Sequence, residues 1–204
     1  MSEAARPSKA DSRLGHTTGV VLCRRGEAGL SVGAHTLAER AAALLGEVCA
    51  EVVSVAAEGA SDAVLLAAGL EAASGDHALV SSADRPLLTP DLLIGLAGLP
   101  DADAALPRDA HGAHTTCARY RRASVLPALR AAVDAGITDP LQALADLEVC
   151  WLEGNSLASL DPDGSALARV EDAAGLEALV ENHAERARGA WPGHPGLGLV
   201  RESS

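Results

Sequence analysis

Residues 78–90 read Ala-Leu-Val-Ser-Ser-Ala-Asp-Arg-Pro-Leu-Leu-Thr-Pro. An apolar run ends at one carboxylate, Asp84. Thr89-Pro90 then opens a second apolar pattern from Leu92 to Leu99. Thr before Pro is a helix start, with Thr89 as N-cap and Pro90 in the first helical position. Asp84 is therefore expected just past the carboxyl end of a buried strand, the edge of an open α/β sheet where ligands bind. A carboxylate there suits a hard dication such as Mg²⁺, which one or two carboxylates hold together with substrate phosphates. Asp also caps turns, and the local sequence leaves both roles open.

Arg24 and Arg25 follow a second strand-like run, Gly19 to Cys23. A first strand-to-helix loop is a common phosphate site, so this pair reads either as a phosphate clamp or as two solvated loop arginines. Other motifs carry less. Gly29-Leu-Ser-Val-Gly33 matches the nucleophile-elbow pattern, but the elbow needs its Ser directly after a strand, and here the strand ends near Cys23. His111 and His114 lie in a turn-like segment with no third ligand nearby in sequence. Arg119, Arg121 and Arg122 read as a solvated cluster. Residues 161–164, Asp-Pro-Asp-Gly, are a turn signal. Cys23, Cys49, Cys117 and Cys150 are widely spaced in apolar surroundings and read as buried thiols, with neither zinc nor disulfides.

The elements that must position these groups follow from periodicity. Strands are expected at Gly19–Cys23, Glu51–Val55, His77–Ser81, Ala102–Leu106, Cys117–Tyr120 and Val149–Leu152. Helices are expected at Thr36–Leu45, Ala63–Ala73, Leu92–Leu99, Ser124–Ala135, Pro140–Leu147 and Gly175–Ala187. Strands alternating with helices predict a three-layer α/β/α fold with a mostly parallel sheet. The 204 residues suit one domain over residues 17–188, with a polar tail at 1–16 and a Gly- and Pro-rich tail at 189–204.

Composition removes several classes of function. Net charge is −12 and aromatics are 1% of residues, which disfavours nucleic acid and anionic membrane as partners. No apolar run approaches the roughly 20 residues of a membrane span. The polar N-terminus lacks an apolar signal segment, so a cytoplasmic location is expected. Lys9 is the single lysine, and every other fixed cation is Arg.

Taken in order, these segments resemble the molybdenum cofactor guanylyltransferase family, within the Rossmann-like nucleotide-diphospho-sugar-transferase type of fold. The resemblance runs from about Thr18 to Leu179. Thr18-Gly-Val-Val-Leu-Cys23 is similar to the family's first strand. Leu30-Ser-Val-Gly-Ala-His-Thr-Leu-Ala-Glu-Arg40 resembles the segment leading into its first helix. Ala83-Asp-Arg-Pro86 resembles its Cys-Asp-Met-Pro metal motif, and His114 to Arg122 its later strand. The resemblance implies transfer of a nucleoside monophosphate from a nucleoside triphosphate, GTP above all, to a molybdopterin-type acceptor with release of pyrophosphate. It implies Asp84 as catalytic Mg²⁺ ligand and Leu22, Cys23, Arg24 and Arg25 as nucleotide contacts.

Three departures bear on this. The family's Leu-Ala-Gly-Gly loop and its Lys are replaced by a shortened segment with Arg24 and Arg25. Val64 to Leu70 only loosely matches the Gly-Pro-Leu-Ala-Gly loop that contacts guanine. The closing Asn-x-Asn-Thr-Pro-x-Asp motif becomes Arg169-Val-Glu-Asp-Ala-Ala-Gly175, leaving Glu171 or Asp172 as a second ligand. Two readings stand: a divergent nucleotidyltransferase, or a noncatalytic descendant binding a partner protein or a cofactor intermediate.

Overall fold

The computed structural model describes residues 14–24 and 30–190. β1 (Leu14–Cys23) leads to a hairpin of β2 (Ser31–Val32) and β3 (His35–Thr36), then to α1 (Leu37–Val48) and β4 (Cys49–Ala56). α2 (Asp62–Ala72), β5 (His77–Ser82) and α3 (Pro90–Ala97) follow. Next come β6 (Ala104–Asp109), β7 (Gly112–Ala113), β8 (Cys117–Arg121), α4 (Arg122–Asp134) and α5 (Pro140–Ala143). β9 (Val149–Leu152), α6 (Gly154–Leu160) and α7 (Ala173–Ala190) close the chain.

Among the described residues, the main sheet has the order β4-β1-β5-β8-β6-β7, with β9 on β6. β1 pairs in parallel with both β4 and β5. β8 lies antiparallel between β5 and β6, and β6 pairs in parallel with β9. The fold is the expected α/β/α sandwich with a mostly parallel sheet.

Alternation along β1 builds both cores at once. Val21 and Cys23 face a cluster with Leu37 and Leu45 of α1, Leu92 and Leu96 of α3, and Leu176 of α7. Val20 and Leu22 face Leu66 and Leu70 of α2 and Leu129 of α4. A strand covered on both faces needs apolar residues at successive positions, hence the unbroken run Val20-Val-Leu-Cys23. At roughly 25 cal/mol per Å² of apolar surface, each fully buried Leu or Val contributes about 1.5–3 kcal/mol.

The helix starts are chemically specified. Thr36 and Glu39 form a capping box on α1. Ser61 caps α2, and Thr89 caps α3 with Pro90 in its first turn. Each start follows a strand's carboxyl end, which carries the chain back over the sheet.

Some elements differ from the periodic pattern. The helix expected over Pro140–Leu147 is one turn, because the Leu144 and Leu147 amides bond three residues back and close the chain into turns. α6 carries no strong apolar period and starts at Gly154, whose φ of 56° needs glycine. β1 begins at Leu14, inside the segment assigned to the polar tail, and α7 runs to Ala190. The Val64–Leu70 stretch lies inside α2 and is no loop. A Cβ on Gly69 would stand 2.8 Å from Val20 Cγ1, so this glycine lets α2 lie close on β1.

Candidate functional site

Asp84 stands two residues beyond β5 and is 1% exposed. The β1–β5 ladder places it, with Leu22 opposite Ser82 and the Ala83 amide donating to the Leu22 carbonyl at 2.9 Å. The Ser82 hydroxyl donates to Asp84 Oδ1. Arg169 Nε donates to Oδ2 at 2.6 Å. The Val170 amide donates to the Asp84 carbonyl at 2.9 Å, so the segment before α7 is tied across the edge by main chain as well. Arg24, directly after β1, places NH1 3.9 Å from Asp84 Oδ2 and pairs through NH2 with Asp62 in the first turn of α2. Arg24 and Arg169 keep 28% and 38% of their side chains exposed. Together with Glu171, Asp172 and Gly175 they line an open cleft.

Beneath this layer lies a second arginine system. Arg85 is 5% exposed; its NH1 donates to the Leu167 carbonyl and its NH2 lies 3.4 Å from both Thr116 Oγ1 and His114 Nδ1. Its Nε has no partner among the described residues. Burial lowers its pKa. His114 Nε2 lies 2.9 Å from Asp109 Oδ2. Burial, and then the Arg85 charge, hold His114 below its ordinary value despite that carboxylate. At neutral pH the ring is therefore neutral, with Nδ1 facing Arg85 and Nε2 facing Asp109. Burial pushes Asp109 up, but the bonds from His114 and from the His111 amide outweigh it and leave its carboxyl low.

The Asp84 carboxylate itself tests the fit for a dication. Both oxygens are engaged, and two guanidiniums stand within 4 Å of one of them. Among the described residues no three His, Cys, Asp or Glu side chains converge. Near a protein surface, like charges 4 Å apart repel by about 4 kcal/mol per unit product of charge. A dication on Asp84 meets twice that from each of the two guanidiniums before gaining one carboxylate. As arranged, Asp84 is balanced by arginine, and the Mg²⁺ expected there does not fit this donor set.

The other candidates are dispersed. Leu22 and Cys23 end β1 with side chains buried on opposite faces, so only their main chain reaches the edge. Arg25 lies outside the described residues. Glu171 and Asp172 are exposed, and Asp172 Oδ1 accepts from the Gly175 amide at 2.7 Å at the start of α7. Ser31 is exposed in a hairpin, which is not the strand-to-helix turn an elbow requires. His111 is exposed while His114 turns inward, so the two share no ligand. Burial pushes the Cys117 thiol up to about 11, and Cys49 likewise, so both are inert.

The arginine cluster at 119–122 requires correction. Arg119 is buried and donates to the Ala97, Leu99 and Pro100 carbonyls at the end of α3. Arg121 pairs with Asp101 and Asp103, and Arg122 Nε donates to the Leu70 carbonyl. Sequence reasoning missed Arg169 and Arg85 as partners in the site. One signal was available: a buried carboxylate in a chain whose single lysine is Lys9 must be balanced by arginine.

No family model matches the chain, and no curated protein matches it in sequence. Solved structures do match in shape. The molybdopterin-guanine dinucleotide biosynthesis protein A of Archaeoglobus fulgidus superimposes with a TM-score of 0.61 at 18% identity, covering 83% of this chain and 99% of that one. The 2-C-methyl-D-erythritol 4-phosphate cytidylyltransferase of Thermus thermophilus gives 0.61 at 20% identity, with 83% and 98% covered. A Mycobacterium tuberculosis protein described as a complex with manganese gives 0.53 at 19% identity, with 82% and 98% covered. At these identities the likeness is one of fold.

Proposed function

We propose that this protein is a divergent nucleotidyltransferase whose carboxyl edge at β1 and β5 receives the phosphates of a nucleoside triphosphate. The observation that carries this reading is the convergence of Arg24, Arg169 and buried Asp84 at the edge where such folds bind ligands. Arg forks match phosphate oxygens in geometry and charge. The name of the superimposed cytidylyltransferase supports the reaction class. The finer reading takes GTP as donor and a molybdopterin-type phosphate as acceptor.

In that reaction an acceptor phosphate oxygen attacks the α-phosphorus. The bond from that phosphorus to its bridging oxygen breaks, and pyrophosphate leaves with the electron pair. Arg24 and Arg169 neutralise the charge developing on the transferring group and on pyrophosphate, the arginine form of electrostatic catalysis. Asp84 fixes the orientation of Arg169 and does not touch substrate. The N-terminus of α1 is occupied by its own Thr36–Glu39 capping box, so the phosphates rely on side chains.

A second reading, a noncatalytic descendant that binds a phosphate-bearing cofactor intermediate or a partner protein, is favoured by the engagement of both Asp84 oxygens. The test is pyrophosphate release from GTP, CTP, ATP and UTP, with and without Mg²⁺, using a molybdopterin-loaded carrier as acceptor. Turnover with one triphosphate, slower by about 10²-fold than in a protein with an intact glycine-rich loop, is expected. Binding without turnover would favour the second reading.

A further inference from the structure

We propose that Arg169 is a built-in replacement for the metal ion: its guanidinium holds Asp84 where a dication would need to sit, and the edge therefore binds phosphate-bearing anions without metal. The inference rests on the nucleotide reading of this site and names what that site requires.

The geometry carries it. A carboxylate at the end of a central strand can be balanced by a dication or by a fixed cation. Asp84 is 1% exposed and its Oδ2 is met by Arg169 Nε at 2.6 Å, with Arg24 3.9 Å from the same oxygen. Nε is one corner of the guanidinium. Among the described residues, the two terminal nitrogens of Arg169 make no hydrogen bond, and 38% of the side chain is exposed on the cleft. Arg169 thus turns one edge to the carboxylate and its fork to the space a phosphate would fill. A metal bridges a carboxylate and a phosphate by lying between them; this guanidinium lies in the same relation to both.

The position is fixed by more than the ion pair. The neighbouring Val170 amide is bonded to the Asp84 carbonyl at 2.9 Å, and Arg85 NH1 holds the Leu167 carbonyl. Main-chain contacts on both sides of residue 169 therefore deliver its side chain to Asp84. Arg169 is a positioned cation, not a surface arginine that has drifted onto a nearby carboxylate.

The experiment measures pyrophosphate and GTP binding by calorimetry in excess EDTA and again with Mg²⁺, and Mn²⁺ binding alone by electron paramagnetic resonance. In wild type, pyrophosphate binds in EDTA, Mg²⁺ changes its affinity by less than about threefold, and Mn²⁺ alone does not bind. Arg169→Gln weakens metal-free pyrophosphate binding by about tenfold or more, the loss expected for a charged donor to phosphate. The same variant gains Mn²⁺ binding, and adding Asp84→Asn removes that gain. Arg169→Lys retains metal-free binding in part, which separates loss of charge from misfolding. Pyrophosphate bound only with Mg²⁺, or Mn²⁺ bound by wild type at micromolar concentration, overturns the inference and leaves the transferase reading standing. Pyrophosphate bound in EDTA while no nucleoside triphosphate binds supports the inference and removes the nucleotide. No binding of any anion under either condition overturns both.

Discussion

Arg119 and Arg169 each balance oxygen atoms where an element ends, and they divide their nitrogens differently. Arg119, buried at the end of α3, donates through NH1 to the Ala97 and Leu99 carbonyls at 2.8 and 2.9 Å and through NH2 to Pro100 at 2.6 Å. Arg169, beyond the end of β5, gives Nε to Asp84 and keeps 38% of its side chain on the cleft. Both terminal nitrogens of Arg119 are spent on main chain and its Nε is buried, so it presents no donor to a ligand. Arg169 spends only its corner. The contrast separates an arginine that finishes a helix from one that is held ready for a ligand, although both are cations beside oxygen.

The largest expected effect lies on the structural side. Arg119→Leu strips three part-buried carbonyls of their donor, and we expect a loss of about 3 kcal/mol of unfolding free energy, about 1 kcal/mol for each bond. Urea unfolding reads this, while pyrophosphate affinity stays at the wild-type value. A loss below about 1 kcal/mol would show that water enters the end of α3, and would erase the distinction.

Effects no larger than this test the site side. Arg169→Ala alone is expected to cost at most about 1 kcal/mol, because Arg169 is itself part-exposed and Arg24 remains near Asp84. Arg24→Ala with Arg169→Ala leaves a buried carboxylate unpaired and costs about 3 kcal/mol, more than the two singles together. The excess vanishes when Asp84→Asn is added. Strict additivity in this cycle would mean that Asp84 is not balanced by the pair.

The smallest effect concerns pH. His114 has its folded pKa below its ordinary 6.5, so the unfolded chain takes up the proton first on acidification. Stability is full above about pH 6.5 and falls as pH drops toward the depressed folded value. Asp109, also depressed, adds a loss of the same sign in a lower window, below its ordinary 3.8. In His114→Gln the fall in urea midpoint between pH 6.5 and 5 should flatten. An unchanged slope would take His114 out of the buried arginine system beneath Asp84.

The sheet was legible because its signals are local. Val20-Val-Leu-Cys23 can only be a strand covered on both faces, and Thr89-Pro90 states a helix start in two residues. The place of Asp84 followed from that helix start and from the apolar run ending before it, now the strand His77–Ser82. Its company did not, since Arg169 lies 85 positions along the chain and its type carries no mark of what it will meet. Arg119 was misread for the same reason: three adjacent arginine-rich positions look solvated until the end of α3 is brought over one of them. The missing glycine loop was legible as a departure, with Arg24 and Arg25 as candidate cations in its place, whereas the meeting of Arg169 with Asp84 required the tertiary structure.

The segment from Leu167 to Val170 closes over Asp84 and Arg85 through one ion pair and two bonds to main chain, across 82 to 86 positions. Those closures are long in sequence, so their entropy must be met before they reward the chain. The pairings among β1, β4, β5, β6 and β8 involve only residues up to Arg121 and so are drawn from chain emerging earlier in synthesis than β9 or the 167–170 segment. Until the later segment docks, Asp84 has neither Arg169 nor the Val170 amide, and the Arg85 NH1 lacks its carbonyl. Most of the sheet can thus be paired while the Arg169 side of the proposed anion-binding edge does not yet exist.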